Sequence, residues 1–481
     1  MLKSAAVIGA ASLTTAACNP FATEKAATGP ASVRRFHSRP DLVVPTIKVL
    51  QGTEETPTGY IFGNVHAPKL TSGPLIVDGR GELVWFQPVP GKYVADLNVQ
   101  TYEGRPVLTW WQGDIISGHG QGTCVIADFS YRQLAAVQAH NGLMADLHDF
   151  QLTAGGTALI TAYATADADL SGIGGPRKGR VLNGVIQEID LASGELVFEW
   201  RSLDHVAITE THSKWTKSST AQGPFDYFHI NSIDVDADGN LLISARNTWA
   251  LYKIDRQSGA VIWRLGGRKS DFAMGKGTNF EWQHDARHHP DGVITVFDDA
   301  AAPQEEPRSR GLKLTVDEQS MVVSLADQYT NGSVLTSSQG NVQVLPDSNV
   351  FVGWGAEPRY TGFTSAGRII YDARFLIANQ SYRTFNLPWT GLPSEAPTAV
   401  VEQGSHSGVI VYASWNGATE VASWQVLGGS DAQHLALLGA AARSGFETAI
   451  GIADVKPYIV ARAFDSAGAI LGSSGPAPTT T

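Results

Sequence analysis

A chain of 481 residues with 43% hydrophobic and 17% charged side chains has the composition of a globular protein, not of a disordered one. It is longer than one ordinary domain, so it contains either several domains or a repeat architecture. The net charge of −11 and the lack of a basic stripe weigh against a nucleic-acid partner. With two cysteines, the chain has no disulfide framework.

The first residues have the pattern of a secretion signal. Residues 1–18 contain one lysine, continue as a short run of small and apolar residues, and end at Cys18. This pattern predicts a signal peptide ending in a lipobox, with Cys18 as the acylated residue. An ordinary signal peptide and a disordered tail are the alternatives. Residues 19–41 then form a tether, and we expect an extracytoplasmic protein that meets the membrane only through its lipid anchor.

A strand-and-turn unit repeats along most of the chain. In residues 229–267, four short apolar runs are separated by turns, the first of which is Asp238-Gly239. This dipeptide is a strong hairpin signal, and four short antiparallel strands form one blade of a β-propeller. The sequence therefore predicts an all-β fold with a six-bladed propeller over residues 42–390. The other units are laid on residues 60–87, 96–139, 148–201 (with an insertion at 164–183), 284–329 and 340–375.

The character of the sequence changes after Trp389. Pro388, Pro393 and Pro397 predict a linker, and alternating apolar residues follow it. Several short strands of this kind predict a small β-sandwich of the fibronectin III or immunoglobulin type over residues 396–481. No chemically active group of residues stands out there, so we expect a role in packing or attachment. The predicted strands are 399–402, 409–415, 421–427, 448–452 and 458–465.

The second residue of each predicted hairpin turn serves as a reference position for comparing polar residues between units, and we call this count along the chain the ruler. His229 precedes Asn231 by two residues and faces the same side of its strand. Because equivalent positions on successive blades surround the propeller axis, we expect the residues at the strand starts to meet at one mouth of the central channel. Counting back eight residues from the second turn residue reaches Asp96, His148, Asn231 and His284. Counting forward seven reaches Trp111, Tyr163, Arg246 and Asp299.

The residue types at this mouth suit the transfer of a small oxyanionic group. A neutral imidazole can act as a nucleophile or as a general acid and base near neutral pH. Arg246 and Asn231 can donate hydrogen bonds to the anionic oxygens of such a group. This combination predicts a catalytic site with a histidine nucleophile surrounded by hydrogen-bond donors.

The same histidines allow a metal site as the alternative. A carboxylate would complete it, and the candidates are Asp149, Asp285 and Asp299. Arg246 and Asn231 are poor metal ligands, so we expect that no metal is needed. The remaining histidines at positions 66, 119 and 140 are expected to be structural, as are most tryptophans. One or two of Trp110, Trp111, Trp249 and Trp354 are candidates for the wall of an aromatic-substrate site.

Four motifs resemble those of a known family. Together they resemble the arylsulfotransferase family, most of all the branch found in fungi and actinobacteria, over residues 60–375. The resemblance implies a six-bladed propeller that moves a sulfuryl group from a phenolic sulfate ester to a phenol, with no nucleotide sulfate donor (PAPS) and no cofactor. The motifs are His148-Asp149-Phe150, His229-Ile230-Asn231-Ser232, Ile262-Trp263-Arg264-Leu265-Gly266-Gly267 and Gln283-His284-Asp285-Ala286-Arg287.

The resemblance also implies roles for single residues. His284 corresponds to the family's transiently sulfated histidine, and the assisting residues are His229, Asn231, Arg246 and His148. From the ruler, Tyr163 and Trp111 are further candidates for substrate contact. The sixth blade's contribution is open among Thr336, Gln339 and Gln343.

Two other functions remain open at this stage. One is a metal-dependent propeller lyase or oxygenase that uses the same histidines as ligands. The other is a non-catalytic lipoprotein that binds a ligand at the propeller mouth. The sequence does not identify the physiological donor or acceptor, or the oligomeric state.

Overall fold

The chain folds almost entirely into β-strands. The computed structural model describes residues 32–53, 56–217, 223–404, 408–453, 455–477 and 479–480. Within these ranges the helical segments are short 3-10 turns, so the prediction of an all-β fold is confirmed. No helix in the described ranges has the length and apolar character of a membrane span. Cys18, the predicted lipidation site, lies outside the described residues.

The N-terminal strands show that the predicted tether is partly folded. The strands are β1 (Val33–Arg35), β2 (Val43–Pro45) and β3 (Ile47–Gly52), and β1 pairs with β2. Phe36 and Leu42 are buried in a hydrophobic cluster, and Ser38 donates its backbone N–H to Glu447 Oε2 over 2.6 Å. Within the predicted tether of residues 19–41, apolar side chains and a partly buried hydrogen bond therefore fix residues 32–41 to the fold.

Six groups of antiparallel strands follow, which we call units 1 to 6. Unit 1 begins with β4 (Tyr60–Val65), β5 (Gly73–Val77) and β6 (Leu83–Phe86). Unit 2 contains β7 (Tyr93–Tyr102), β8 (Arg105–Ile116), β9 (His119–Ala127) and β10 (Gln133–Val137). Unit 3 contains β11 (Ala145–Leu152), β12 (Thr157–Ala168), β13 (Gly179–Asp190) and β14 (Leu196–Arg201), and β15 (Phe225–Asp226) comes after it.

Units 4 to 6 repeat the same arrangement. Unit 4 contains β16 (Ile230–Val235), β17 (Leu241–Ala245), β18 (Ala250–Ile254) and β19 (Val261–Gly266). After β20 (Ala273–Met274), unit 5 contains β21 (His284–His289), β22 (Val293–Asp298), β23 (Arg310–Asp317) and β24 (Val322–Tyr329). Unit 6 contains β25 (Asn341–Val344), β26 (Val350–Gly353), β27 (Arg359–Phe363) and β28 (Ile369–Phe375), and β29 (Phe385–Leu387) follows it.

Strand pairing connects the two ends of this region. Strand β29 pairs with β4, so unit 1 is completed by a strand from the far end of the region. Strand β3 pairs with β28 at the edge of unit 6. Units 2 and 3 form one nine-stranded sheet because Ala145 pairs with Gly122. The predicted insertion at residues 164–183 is mostly a continuation of the β12–β13 hairpin, and β15 pairs with β13 in parallel.

The turn residues account for the register of these hairpins. Gly239, at the predicted Asp-Gly turn, has φ +85°. Gly156, at the equivalent turn of unit 3, has φ +78°. A side chain would strain the backbone in this left-handed region, so glycine fixes the position of each tight turn. The ruler used above depends on these positions.

Hydrophobic residues fill the spaces between consecutive units. Leu159 of unit 3 shares a cluster with Ile243 of unit 4, and Phe297 of unit 5 shares one with Val352 of unit 6. Every other consecutive pair of units is joined in the same way, including unit 6 with unit 1. The strands are therefore buried on both sides, which explains their nearly continuous apolar sequences.

A buried arginine connects the first strands of several units. Arg383, in the segment before β29, is 1% exposed. Its Nη1 lies 2.7 Å from Asp96 Oδ1 and 3.2 Å from Asp149 Oδ1, and its Nε lies 2.9 Å from Asp285 Oδ1. Its Nη2 also donates to the backbone oxygens of units 3 and 4, at His148 and Asn231. One guanidinium thus holds units 2, 3, 4 and 5 together.

A second arginine balances part of the remaining charge. Arg287 Nη2 lies 3.0 Å from Asp149 Oδ2, and its Nε lies 2.8 Å from Asp285 Oδ1. Two guanidinium groups face three carboxylates. Burial raises the pKa of Asp96 to about 6, although Arg383 opposes this shift. Asp96 therefore takes up a proton more readily than an exposed aspartate does, which would reduce the excess negative charge.

The C-terminal residues form two further four-stranded sheets. The strand order of the first is Glu447–Ile452, Val409–Ser414, Thr398–Gln403 and Thr479–Thr480, and that of the second is Leu435–Ala442, Ser423–Gly429, Tyr458–Phe464 and Ile470–Ser473. Val411 from the first and Val426 from the second belong to one hydrophobic cluster. The strands are β30 (Thr398–Gln403), β31 (Val409–Ser414), β32 (Ser423–Gly429), β33 (Leu435–Ala442), β34 (Glu447–Ile452), β35 (Tyr458–Phe464), β36 (Ile470–Ser473) and β37 (Thr479–Thr480). The sequence analysis missed β33 and β36, which are mostly exposed or half-buried and lack a clear apolar alternation.

These sheets cover an edge of unit 1. Asn416 accepts a hydrogen bond from Phe86 N over 3.1 Å and donates one to Phe86 O over 2.9 Å. Gly417 N donates to Val84 O over 2.8 Å. The outer strand of unit 1 is therefore protected from pairing with another chain.

We expect Arg383→Met to reduce the free energy of unfolding by about 3–5 kcal/mol, because it leaves three buried carboxylates with one arginine. Arg80→Met is the control, since the Arg80 side chain is 76% exposed and pairs with Asp78. We expect the control to lose less than about 1 kcal/mol. Urea denaturation followed by tryptophan fluorescence measures both changes. Equal, small losses in the two variants would contradict a central role for Arg383.

Candidate functional site

Three histidines are each paired with a buried or half-buried aspartate. In each pair, a carboxylate oxygen accepts from the ring Nδ1, which leaves Nε2 as the nitrogen available for chemistry. The distances are 2.5 Å for His148 Nδ1 to Asp146 Oδ2, 2.5 Å for His229 Nδ1 to Asp226 Oδ2, and 2.6 Å for His284 Nδ1 to Asp299 Oδ2. The sequence analysis predicted the three histidines and offered Asp299 as a carboxylate, but it missed Asp146 and Asp226.

Local backbone features position these pairs. His284 is the first residue of β21, and Asp299 follows the end of β22, its hairpin partner. His229 precedes β16 with φ +61°, an uncommon conformation for a residue other than glycine. Asp226 lies in β15, where Leu182 of the extended β12–β13 hairpin is its partner in the sheet. The extension that looked like an insertion therefore positions a carboxylate of the site.

His119 joins the group although the sequence analysis expected it to be structural. Its Nε2 lies 3.2 Å from Asp226 Oδ2, and its Nδ1 lies 3.0 Å from the carbonyl oxygen of Ser117. Both ring nitrogens thus face acceptors, which favours the doubly protonated, charged imidazolium. Asp226 bridges this cation and the His229 ring.

Aromatic rings pack closely around these groups. The ring centroids of His148 and His229 are 4.7 Å apart, and those of His119 and His229 are 4.9 Å apart. Tyr163, predicted as a substrate contact, lies 4.3 Å from the His119 ring and donates its hydroxyl to Ile230 O over 2.8 Å. Tyr163 is therefore in the group, but its hydroxyl is already engaged.

The Tyr382 ring lies near His148, which packs with His119 and His229, and also near His284. Its ring centroid lies 5.6 Å from that of His148 and 6.3 Å from that of His284. Its hydroxyl donates to Asn231 O over 3.1 Å. Tyr382 precedes Arg383, so the segment that binds the first strands also supplies a ring of the site. No repeat position indicated this residue in the sequence.

Arg246 lies beside the histidines, as the ruler predicted. Its backbone N–H donates to His229 O over 2.9 Å. Its Nη1 donates to Asn247 Oδ1 over 3.1 Å and its Nη2 to Ser337 O over 3.3 Å. Its Nε is buried and has no hydrogen-bond partner among the described residues. This guanidinium can therefore still donate a hydrogen bond from Nε to an anionic ligand.

Asn231 has a different environment from the one expected for a substrate donor. It is fully buried, and its Nδ2 donates to the backbone oxygen of Gln283 over 2.6 Å. This bond ties β16 to the residue directly before His284. Asn231 therefore positions the nucleophile candidate in the structure, and its amide Oδ1 has no described partner.

The sixth unit contributes backbone groups next to β25. Gln339 N donates to His284 Nε2 over 3.3 Å, and Ser337 O accepts from Arg246 as described above. Thr336 is buried, with its hydroxyl donating to Ser338 O. Gln343 instead donates to Asn386 O. Of the three candidates from this unit, Gln339 is thus the one that contacts a histidine.

Three sequence candidates are placed away from the histidine group. Trp111 is fully buried in a hydrophobic cluster, and its Nε1 donates to Ala145 O over 2.8 Å. The ring fills space left by Gly113, Gly120 and Gly122, where added Cβ atoms would clash with it. Asp149 and Asp285 pair with Arg383 and Arg287, as described for the fold. Packing decides the position of Trp111, which the ruler alone did not capture.

The environment separates the protonation states of the histidines. Burial, reinforced by the charge of Arg246, holds the pKa of His284 well below its usual value. Burial also lowers the pKa of His229 to about 4, although Asp226 opposes the shift. Burial likewise opposes the charged form of His119, but Asp226 overrides it and the pKa of His119 is raised. His284 and His229, whose pKa values are lowered, therefore stand near His119, whose pKa is raised.

A group of residues with the spacing to hold a metal ion is present, and it differs from the predicted one. His119, Asp226 and His229 offer ligand atoms that all lie within 4.8 Å of one another. Two imidazoles and a carboxylate suit zinc or a similar ion. The group thus contains one of the three predicted histidines and an aspartate that was not among the proposed ligands.

We expect imidazole 15N chemical shifts to report a charged His119 and neutral His229 and His284 at pH 6. His229 should gain its proton near pH 4, because burial disfavours the charged ring. Asp226→Asn removes the carboxylate that holds the His119 proton, and the pKa of His119 should fall in this variant. A neutral His119 in the unsubstituted protein at pH 6 would contradict this assignment.

Comparison with known proteins identifies the family. Residues 98–376, more than half of the chain, match the model of the family described as arylsulfotransferase (ASST). No curated protein matches the chain. A protein of unknown function from Bacteroides caccae is 12% identical, with a TM-score of 0.40, and the match covers 68% of this chain and 98% of that one.

Two further solved structures are similar at the same low level. A protein of unknown function from Dyadobacter fermentans is 10% identical with a TM-score of 0.36, covering 85% of this chain and 98% of that one. Virginiamycin B lyase from Staphylococcus aureus is 9% identical with a TM-score of 0.34, covering 68% and 87%. These scores imply nothing about a shared activity. The family match stands independently of them, and the chain belongs to the arylsulfotransferase (ASST) family.

Proposed function

We propose that residues 42–390 form a six-bladed β-propeller in which each unit is one blade. Three observations support this: six four-stranded units, a hydrophobic cluster between every consecutive pair including the last and the first, and the β29–β4 pairing. The contacts of Arg383 with four units are those expected near a shared axis. We propose that the two C-terminal sheets form a small β-sandwich over the common cluster of Val411 and Val426.

We further propose that the protein is a PAPS-independent aryl sulfotransferase with His284 as its nucleophile. The observation that carries this proposal is the pair of hydrogen-bond contacts at the two ring nitrogens of His284. Asp299 accepts from Nδ1 at 2.6 Å, and Gln339 N–H donates to Nε2 at 3.3 Å. An N–H donor next to Nε2 requires a lone pair there. The long backbone bond is weak and can be replaced when a sulfur atom approaches.

In the first step, His284 Nε2 attacks the sulfur of a phenolic sulfate ester. The new N–S bond forms as the S–O bond to the phenol breaks, and the electron pair of that bond leaves with the phenolate oxygen. Asp299 stabilises the positive charge that develops on the ring, as an aspartate does for a catalytic histidine. The product is a sulfated histidine and a phenolate that requires a proton.

The other histidines manage that proton. His148 is the candidate general acid in its doubly protonated form: Asp146 accepts from Nδ1, and the Nε2 proton passes to the leaving phenolate oxygen, which leaves a neutral ring. In the second step the same residue takes the proton of an incoming phenol, whose oxygen attacks sulfur and releases His284. Asp146 stays ionised beside this ring, since His148 lowers the pKa of Asp146 to about 2 despite its burial.

Positive charge around the site stabilises the sulfuryl oxygens. Arg246 offers a buried Nε–H that has no partner among the described residues, whereas neutral His229 donates its one N–H to Asp226 and orients that carboxylate. His119, held as a cation by Asp226, adds a fixed charge 4.9 Å from the His229 ring. Such preorganised donors act most strongly where water is excluded. Asn231 contributes by fixing the backbone before His284.

The location remains a separate prediction. The leader ending at Cys18 predicts an extracytoplasmic protein held by a lipid, and the substrates would be phenolic compounds outside the cytoplasm. Replacing Cys18 with Ser tests the anchor by membrane fractionation.

One specific observation favours a second candidate, a metal-dependent enzyme such as a lyase. The group of His119, Asp226 and His229 has the spacing of a metal site. In that case activity would be lost on chelation and restored by added metal. Sulfuryl transfer through His284 requires neither response.

We expect the purified protein to transfer sulfate from a phenolic ester such as 4-nitrophenyl sulfate to a second phenol, with ping-pong kinetics. His284→Ala should abolish transfer, and Arg246→Met should reduce kcat/KM by about 10²–10³-fold, as loss of one oxyanion donor does. Release of 4-nitrophenolate, measured by absorbance with and without EDTA, follows the reaction.

His289→Gln is the matched control for these variants. His289 ends the same strand, β21, and its Nε2 lies 2.9 Å from Thr295 Oγ1, away from the histidine group. We expect its activity to remain within about twofold of the parent, because its polar contact can be kept by glutamine. Normal turnover by a folded His284→Ala protein, or equal losses in the two histidine variants, would eliminate the proposed nucleophile.

A further inference from the structure

Three aromatic rings form a contiguous group that reaches Arg246 through Trp282, and they have no role in the steps above. The rings of His212 and Trp249 stack with centroids 3.7 Å apart and planes 13° apart. Trp249 meets the edge of Trp282 at 5.1 Å, and the Arg246 guanidinium carbon lies 4.9 Å from the Trp282 ring centroid. We call His212, Trp249 and Trp282 the aromatic wall. Trp282 is buried, whereas His212 and Trp249 are partly exposed.

The two tryptophans of the aromatic wall are close in sequence to Arg246 and His284. Trp249 ends the 3-10 turn that begins at Arg246, and Trp282 lies two residues before His284. Both tryptophans have positive φ, at +53° and +57°, which is uncommon for bulky residues. Conformations of this kind persist where the surrounding structure enforces them, and they cluster at functional sites.

The Gly266-Gly267 pair explains how the backbone accommodates this corner. A Cβ on Gly266 would lie 2.8 Å from Trp249 O, and one on Gly267 would lie 2.5 Å from Thr248 O. Both glycines also have positive φ. The end of β19 can therefore approach the Trp249 corner only without side chains. This gives a structural reason for the glycines in the motif from Ile262 to Gly267.

Polar atoms at the wall also lack partners. Arg246 Nε, Trp249 Nε1 and His212 Nε2 are buried and make no hydrogen bond within the described part of the chain. Arg246 is 3% exposed, so an unused donor there costs free energy unless a ligand satisfies it. Burial and Arg268 lower the pKa of His212 to about 4, so its ring is neutral and can stack as a flat apolar surface.

We propose that the aromatic wall is the aryl-binding subsite, where the substrate's ring lies against Trp249 and His212 while its sulfate contacts Arg246. This inference rests on the proposed function and adds its specificity. Aromatic rings prefer offset or edge-to-face contacts with centroids about 4.5–7 Å apart, and the exposed parts of Trp249 and His212 offer such a surface. The protein then selects planar aromatic sulfates over alkyl sulfates of equal charge.

Binding of inert sulfonates tests this subsite without relying on turnover, because their C–S bond is not transferred. Calorimetry of the full chain with naphthalene-1-sulfonate and hexane-1-sulfonate gives the two dissociation constants. We expect the aromatic anion to bind about tenfold more tightly, as a stacked ring contact implies. Trp249→Gly should remove this preference, and glycine suits the positive φ at this position. Trp249→Phe should keep most of the preference.

Two control variants separate the ring contact from charge and folding. Phe129→Ala removes a 50% exposed aromatic ring outside the site and should leave the preference unchanged. Arg246→Met should weaken both sulfonates together. Equal affinities of the parent protein for the two anions, or an unchanged preference in a folded Trp249→Gly variant, would overturn the subsite. Absence of sulfate transfer together with a Trp249-dependent preference would instead count against the reaction and leave the subsite standing.

Discussion

The buried ion pairs of Arg383 join the first strands of the units around the histidine group. A guanidinium that is 1% exposed is tolerated only when carboxylates and carbonyls surround it, and here they come from four units. The same segment carries Tyr382, whose ring lies between His148 and His284. The contacts that hold the first strands in place therefore also set the spacing of the site.

Charge placement makes the histidines chemically different from one another. Each of His148, His229 and His284 has an aspartate on Nδ1, which fixes the same tautomer in all three. His119 has acceptors near both nitrogens, and Asp226 raises its pKa against the effect of burial, which favours the charged ring. A neutral nucleophile beside fixed positive charge suits the attack on an anionic sulfate ester, since the charge attracts the substrate and remains in place as electrons move.

Sequence periodicity predicted the structural features that repeat from one unit to the next. The turn at Gly239 and its equivalents fixed the register, and that register led to His148, His284, Arg246 and Asp299. Residues that act through distant contacts gave no such signal. Arg383 and Tyr382 lie in an irregular segment after the last predicted blade, and His119 begins the third strand of its unit, where the ruler did not reach. Asp146 and Asp226 precede their histidines by two and three residues, a local spacing that would have indicated them. The expected role of Trp111 depended on side-chain packing against glycines, which no periodicity encodes.

Mass spectrometry of the protein incubated with donor alone tests directly whether His284 becomes sulfated. With 4-nitrophenyl sulfate and no acceptor, we predict one equivalent of 4-nitrophenolate and an added SO3 group on the peptide that contains His284. Addition of a phenol should remove the group and yield the sulfated phenol. The Asp299→Asn variant should form the adduct more slowly, because no carboxylate then stabilises the positive charge on the His284 ring. Full turnover with no modified His284, or a stable adduct on another residue, would contradict the account.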